Sequence, residues 1–397
     1  MNHPDFIHLE ALLTDLTDQG ILPMAAMTVY RGGREVFRFH RGLADHESGR
    51  VLDSNTLFRI FSMTKVVTTV ALLQLYESGR VLLSDPVSKY IPSFAHQRVW
   101  HTDAQGRTFY TPVQRENTLH DLLNMTSGIP YYHPGRSAVE DQMAQVWARM
   151  DDAIRAGKPW DTFTAVNEIG KNPLLFDPGT HFHYGLGIDV IGGVIEQVTK
   201  MRLGDYFKAH IFNPLGMDGT DFYVSPDRQQ HLAQLYNRKN GGGFVPANRF
   251  QDLRQLSRPA YEEGGDGLVT TPDAYMTFAR MLLGQGSLNG ARILGRKTVA
   301  LMARNHLPEA LLPDVTDTMA SVAGYGFGLG CRVMIDPART GLNGSEGEFG
   351  WFGHGGSWFC VDPQEDMAAV FMTQVIFDKS EKIAVTPRIV QALYSAL

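Results

Sequence analysis

The sequence predicts an α/β (α+β) protein: an antiparallel sheet built from both chain ends, flanked by helices, with a mostly helical domain inserted between its halves. Three observations predict it. Strand-like runs flank a Gly32-Gly33 turn near the N-terminus, similar runs flank Gly355-Gly356 near the C-terminus, and helical spacing dominates the stretch between. A sheet assembled from both termini is the simplest way to bury those faces. The expected division is 1–95 with 265–397 as the α/β domain and 96–264 as the insert, with the functional site at their interface.

Taken in order, residues 5–18 place Phe6, Leu9, Leu12, Leu13 and Leu16 at helical spacing, and Gly20 closes the segment. Residues 24–30 and 35–39 read as strands joined by Arg31-Gly32-Gly33-Arg34. Gly42-Leu43-Ala44-Asp45 leads toward a helix that begins at or just before Ser62 and stops at Gly79, a residue that tolerates the left-handed turn ending a helix. A short apolar segment at 81–83 and one Pro-started helical turn follow. Residues 93–117 are polar without a sustained period, and 118–128 reads as a short helix ending at a glycine. Helical or loop-like sequence runs to about 215, including 188–198 and 203–212. The polar stretch 224–262, with Gly241-Gly242-Gly243 at its centre, reads as loop. Gly264-Gly265-Asp266-Gly267-Leu268 then precedes a Met- and Leu-rich helix at 273–283. The alternating glycines of 324–333 read as a strand packed closely on a helix, and 351–354, 357–361 and 367–374 as further strands.

The bulk numbers narrow the function. At 397 residues, 43% hydrophobic and 20% charged, the chain is long enough for two domains. A net charge of -6 argues against nucleic acid or an anionic membrane as partner. Only Cys331 and Cys360 are present, so no disulfide framework is expected. The first ten residues lack the basic start and apolar core of a signal peptide, and no apolar run is long enough to span a bilayer. The expected location is the cytoplasm.

Chemistry concentrates at Ser62-Met63-Thr64-Lys65. At i,i+3 on one helical turn, the hydroxyl and the amine of this motif meet. A serine hydroxyl needs a base within hydrogen-bond reach, and a lysine serves as one where burial favours its neutral form. The start of a helix also offers backbone N–H groups and partial positive charge to an oxyanion. A Ser three residues before a Lys arises often by chance. This is the only such pair in the chain, and it opens a helix that is apolar nearly all round.

The second stretch is Phe176-Asp177-Pro178-Gly179-Thr180-His181-Phe182-His183-Tyr184-Gly185-Leu186. Its Tyr184, held at a loop beside Lys65, can act as base to Ser62 or as acid to a leaving group; the alternative is a tyrosine that only anchors a turn. His181 and His183 form an H-x-H pair, but no H-E-x-x-H, paired C-x-x-C or acidic calcium loop accompanies them, so neither metal nor cofactor is expected. A G-x-S-x-G elbow is absent, which argues against an α/β-hydrolase. The glycines at 324–330 do not match a dinucleotide fingerprint.

With Ser62-Met63-Thr64-Lys65, Tyr184 and the hairpin from Trp351 to Ser357 in this order, the chain resembles the serine hydrolases related to class C β-lactamases and penicillin-binding proteins. Within them it looks most like the family VIII carboxylesterases, along nearly its whole length. Phe58-Arg59-Ile60-Phe61, Leu122-Leu123-Asn124-Met125-Thr126-Ser127-Gly128, Pro178-Gly179-Thr180 and Gly264-Gly265-Asp266-Gly267-Leu268 fall where that family has similar text. The resemblance implies a β-lactamase/transpeptidase-like fold, Ser62 as acylated nucleophile, Lys65 as its partner base and Tyr184 as second general acid/base. The family's third motif fits in two registers. Trp351-Phe352-Gly353 matches the esterase form and His354-Gly355-Gly356 the lactamase and peptidase form. The first is preferred, which makes the His354 backbone N–H the second oxyanion donor alongside that of Ser62, with Trp351, Gly353 and Gly355 around it. Leu186, Trp351, Phe352 and Tyr131 are the expected substrate contacts.

Two departures bear on substrate. The Tyr-x-Asn of the lactamases is Tyr184-Gly185-Leu186 here, and the preferred third motif carries no cation for a substrate carboxylate. Both favour a neutral ester over a β-lactam or peptide. The implied activity is hydrolysis of short- to medium-chain carboxylic esters through a Ser62 acyl-enzyme, with weak β-lactam hydrolysis left open. An acyltransferase using the same residues, a β-lactamase or D-Ala-D-Ala peptidase, and an inactive binding scaffold of the same fold are the alternatives. The scaffold is disfavoured because all three catalytic side chains are present. A small-molecule ester is the expected partner; oligomeric state does not follow from the sequence.

Overall fold

The computed structural model describes residues 4–239, 242–247, 255–318, 323–377 and 379–397. Eight strands form one antiparallel sheet in the order Tyr325–Phe327, Arg332–Met334, Phe349–Phe352, Trp358–Asp362, Met367–Met372, Met24–Arg31, Arg34–Asp45 and Arg50–Val51. The chain ends meet where Met24–Arg31 pairs with Met367–Met372, from Ala26 opposite Met372 to Arg31 opposite Met367. Alternate side chains of a strand leave by opposite faces, and here both faces are covered. Met24, Ala26, Ala368, Val370 and Met372 enter the larger core. Ala25, Met27, Val29, Met367, Ala369 and Phe371 enter a second one, closed by the terminal helices Ile7–Asp18 and Lys379–Tyr394. This two-sided burial explains why Met24–Arg31 shows no polar alternation.

The larger core holds the helix Thr64–Glu77, in which Thr64 to Leu73 and Leu75 are all buried. A helix enclosed on every side needs partners all round, and its neighbours include the helix Gly187–Thr199. Gly79, at φ 70°, ends the segment as expected. On the sheet side, Pro272–Leu283 packs against Met367–Met372; Thr271 caps it by accepting from the Ala274 N–H, and Pro272 stands at the first turn, where its missing N–H costs nothing.

Four expectations are corrected. Residues 93–117 contain a hairpin, Arg98–Thr102 against Thr108–Pro112, whose turn is held by Asp103 Oδ1 accepting from the N–H groups of Gln105 and Arg107. Most of its side chains reach solvent, so no alternation marks it. The stretch 224–262 is not all loop: Tyr236–Arg238 pairs with Phe244–Pro246 and, in parallel, with Val375–Ile376. Gly241, at the centre of that stretch, lies outside the described residues. The helix at 118–128 is only Leu119–Leu123, set by a capping box between Thr118 and Asp121, and Met125 at φ 61° turns the chain away.

The fourth concerns 324–333, which is two short strands, Tyr325–Phe327 and Arg332–Met334, around a bend through Gly330 at φ 70°. Its close approach to a helix does occur. A Cβ on Gly330 would collide with Thr69 Oγ1 of the Thr64–Glu77 helix. Gly330→Ala is therefore expected to lower stability by at least about 1–2 kcal/mol from the left-handed backbone alone. Urea unfolding with a reduced midpoint and unchanged slope is the check. Among the described residues, no helix is long and apolar enough to cross a membrane.

Candidate active site

The segment ahead of Ser62 is pinned from several sides. Phe58–Arg59 pairs with Val269–Thr270, the Ile60 N–H donates to Leu268 O, and the buried Arg59 side chain bonds Gln255 Oε1 and Ala233 O. Phe61 is forced to φ 47°, a strained backbone for a residue with a side chain, and a single 3-10 turn, Phe61–Met63, leads into the helix. Tyr275 Oη donates to Met63 O at 2.9 Å. Ser62 thus sits at a rigid corner.

Lys65 is fully buried, and its Nζ donates to Ser62 Oγ at 3.1 Å, Tyr131 Oη at 2.8 Å and Gly265 O at 2.6 Å. Three acceptors match the three protons of an ammonium. The same Nζ lies 5.0 Å from the centre of the Tyr184 ring and 5.5 Å from that of Tyr131. Tyr131 is also hydrogen-bonded to Tyr184, and Tyr184 Oη accepts from Trp351 Nε1 at 3.1 Å. Burial, with the neighbouring Tyr184 and the carboxylates of Asp189 and Asp266, pushes the Tyr131 phenol well above its ordinary value.

A glycine-rich loop closes the site from behind. Thr68 Oγ1 donates to Gly264 O at 2.5 Å, and the Leu268 N–H donates to Thr64 Oγ1 at 3.3 Å. The Gly265 N–H donates to Asp189 Oδ1 at 3.1 Å. A Cβ on Gly264 would lie 2.9 Å from Ile188 O, so the loop needs glycine to sit this close to the helices. On the other flank, the turn after Phe349–Phe352 lies on the residues preceding Ser62. A Cβ on Gly353 would be 2.5 Å from Ile60 O, one on Gly355 would be 2.8 Å from Phe61 Cε2, and the exposed His354 ring stands edge-on to Phe61 at 5.8 Å.

Of the residues expected from the sequence, Ser62, Lys65, Tyr131, Tyr184 and Trp351 converge, and His354, Gly353 and Gly355 form the adjoining turn. One other is placed elsewhere. Leu186 caps the helix Gly187–Thr199 and is 2% exposed, its side chain in the apolar core. Phe352, one residue on from Trp351, stacks its ring on that of Trp351 at 4.6 Å and also borders a small cavity of about 40 Å³ shared with Trp358 and Val390 of the C-terminal helix. His181 pairs with Asp314 at 3.1 Å, and burial lowers the basicity of His183. Among the described residues, no group of three or more His, Cys, Asp or Glu is arranged to hold a metal.

Sequence reasoning missed the carboxylate of Asp189 beneath Lys65. A charge inside Ile188-Asp189-Val190-Ile191, on an otherwise apolar helix, was the signal available. It missed as well that Tyr131 bonds Lys65 directly, whereas Tyr184 stands one link further.

The Beta-lactamase family model matches residues 9–393. The chain is 30% identical to Protein Rv1367c of Mycobacterium tuberculosis, over 92% of this chain and 89% of that protein. It is 29% identical to esterase EstB of Burkholderia gladioli, over 94% of this chain and 92% of the relative. Among solved structures it is similar to EstCE1, described as a hydrolase with promiscuous acyltransferase activity, with a TM-score of 0.78, 24% identity and 98% of both chains covered. That last likeness is one of fold.

Proposed function

The chain belongs to the beta-lactamase family, and from that premise we propose that it is a serine hydrolase cleaving short- to medium-chain carboxylic esters through an acyl-enzyme on Ser62. One observation carries it: Lys65 Nζ lies 3.1 Å from Ser62 Oγ, at the head of a hydrogen-bonded array through Tyr131 and Tyr184 to Trp351.

Ser62 Oγ attacks the ester carbonyl, the new C–O bond forms, and the carbonyl electrons move to oxygen. The oxyanion is received by the backbone N–H groups of Ser62 and His354. The Gly353 N–H is spent on Ser357 O at 2.7 Å, which leaves it outside the oxyanion pair. With all three of its protons donated, Lys65 orients Ser62 as an ammonium. Tyr184, whose oxygen accepts from Trp351, reacts as the phenolate: it takes the serine proton to become the phenol, and gives that proton to the departing alkoxide, which restores the phenolate. Water then repeats the sequence on the acyl-enzyme; an alcohol in its place gives acyl transfer with the same residues.

The substrate class follows from what the third motif contributes. Trp351 is fully buried with its N–H committed to Tyr184, so in this register the motif offers no cation to a substrate carboxylate. The name of the relative EstB supports an ester as well. Purified protein is expected to turn over a chromogenic short-chain ester and to leave a chromogenic cephalosporin nearly untouched. Rapid cephalosporin cleavage with poor ester turnover would reverse the substrate assignment. Added short-chain alcohol, with the ester product followed by chromatography, separates hydrolysis from acyl transfer. Cys331 and Cys360 are buried free thiols, which favours a reducing compartment, the cytoplasm, as the place of action.

A further inference from the structure

We propose that Asp189 is a positioning residue that holds Lys65 as a fully bonded ammonium beside Ser62, acting through the Gly264 to Leu268 loop; this rests on the Ser62 hydrolase reading. Asp189 is 3% exposed on the helix Gly187–Thr199. Its Oδ1 accepts from the Gly265 N–H at 3.1 Å and from Tyr261 Oη at 3.3 Å. The carbonyl of that same Gly265 accepts from Lys65 Nζ at 2.6 Å. A Cβ on Gly265 would collide with Asp189 Oδ2, so the carboxylate lies flush against the loop. One side of Gly265 is therefore anchored on a buried carboxylate and the other on the lysine.

The charged and titratable neighbours are Lys65 on its helix, Glu263 and Asp266 on the loop, and the phenols of Tyr131 and Tyr261. Burial pushes Asp189 up to about 6, with Lys65 opposing the shift and Glu263 adding to it. Burial and Glu263 also raise Asp266, to about 7, but part of that residue stays in contact with water, which weakens the case for it. A carboxylate whose folded value lies above its unfolded one favours the fold at low pH. That contribution is lost as pH rises through about 6, and the cost is complete at pH 8. Opposite Lys65, the negative charge of Asp189 keeps the ammonium donating to Ser62, Tyr131 and Gly265.

The test is the pH dependence of ester turnover in wild type, Asp189→Asn, Asp266→Asn and Tyr261→Phe, with melting temperatures at pH 8. Wild-type activity is expected to fall on the acid side with a midpoint at about 6. Asp189→Asn should lower kcat at least about tenfold with little change in KM, erase that limb, and melt no lower than wild type. Tyr261→Phe should move the midpoint upward, since the charged carboxylate loses a donor, and it decides the matter if Asp189→Asn does not fold. Asp266→Asn should keep the limb. An unchanged profile in Asp189→Asn, a limb lost with Asp266 instead, or a fall in melting temperature alongside kcat would overturn the proposal. Inactivity of the wild type toward esters would defeat the hydrolase reading itself, before any variant is compared.

Discussion

Ser62→Ala is expected to abolish ester turnover, with kcat reduced by about 10⁴-fold or more, because Ser62 supplies the aliphatic hydroxyl that Lys65 Nζ bonds, on the rigid corner after Phe61. The fold is expected to survive. Ser62 accepts one hydrogen bond from Lys65, and its loss costs about 1 kcal/mol. Lys65 keeps Tyr131 and Gly265 as acceptors, so the buried charge is not left bare. Steady-state rates, a melting curve and intact mass after quenching with an ester substrate form the check. Wild type should show the acyl adduct and the variant should not. Turnover retained in the variant would move the nucleophile elsewhere.

Tyr184→Phe is expected to lower kcat at least about a hundredfold while KM changes little, since the phenol is assigned to proton transfer and not to holding substrate. The substitution also removes the acceptor of the Trp351 indole N–H. Trp351 is fully buried, so an unpaired donor there costs about 1–3 kcal/mol and a modest loss of stability should accompany the kinetic one. The two effects are separable: if the rate falls only in proportion to the unfolded fraction, Tyr184 is a structural anchor. A kcat loss at temperatures where the variant is fully folded assigns the proton to it.

The legible part of this protein was local. The Ser62 and Lys65 contact follows from helical geometry over three residues, and the glycine stop at Gly79 and the turns at Gly32-Gly33 and Gly355-Gly356 follow from backbone freedom. The order of the family motifs supplied the rest of the fold. Where those rules had nothing to act on, the sequence was silent or misleading. The wet hairpin at 98–112 has no buried face to impose alternation. Leu186 was expected at the substrate on the strength of motif position, but burial at the start of the Gly187–Thr199 helix sends it into the apolar core.

By itself, then, the sequence determined the sheet drawn from both chain ends, the Ser62 and Lys65 pair and the tyrosine at 184. Only the tertiary structure decided what surrounds Lys65. Tyr131 reaches it from 66 residues away and Gly265 O from 200, and Asp189 acts on it through that same glycine. Periodicity and turn chemistry are written within a few residues. The acceptors of a buried ammonium are chosen by which distant segments pack around it, because a charge taken out of water must be met by whatever polar groups the fold brings there.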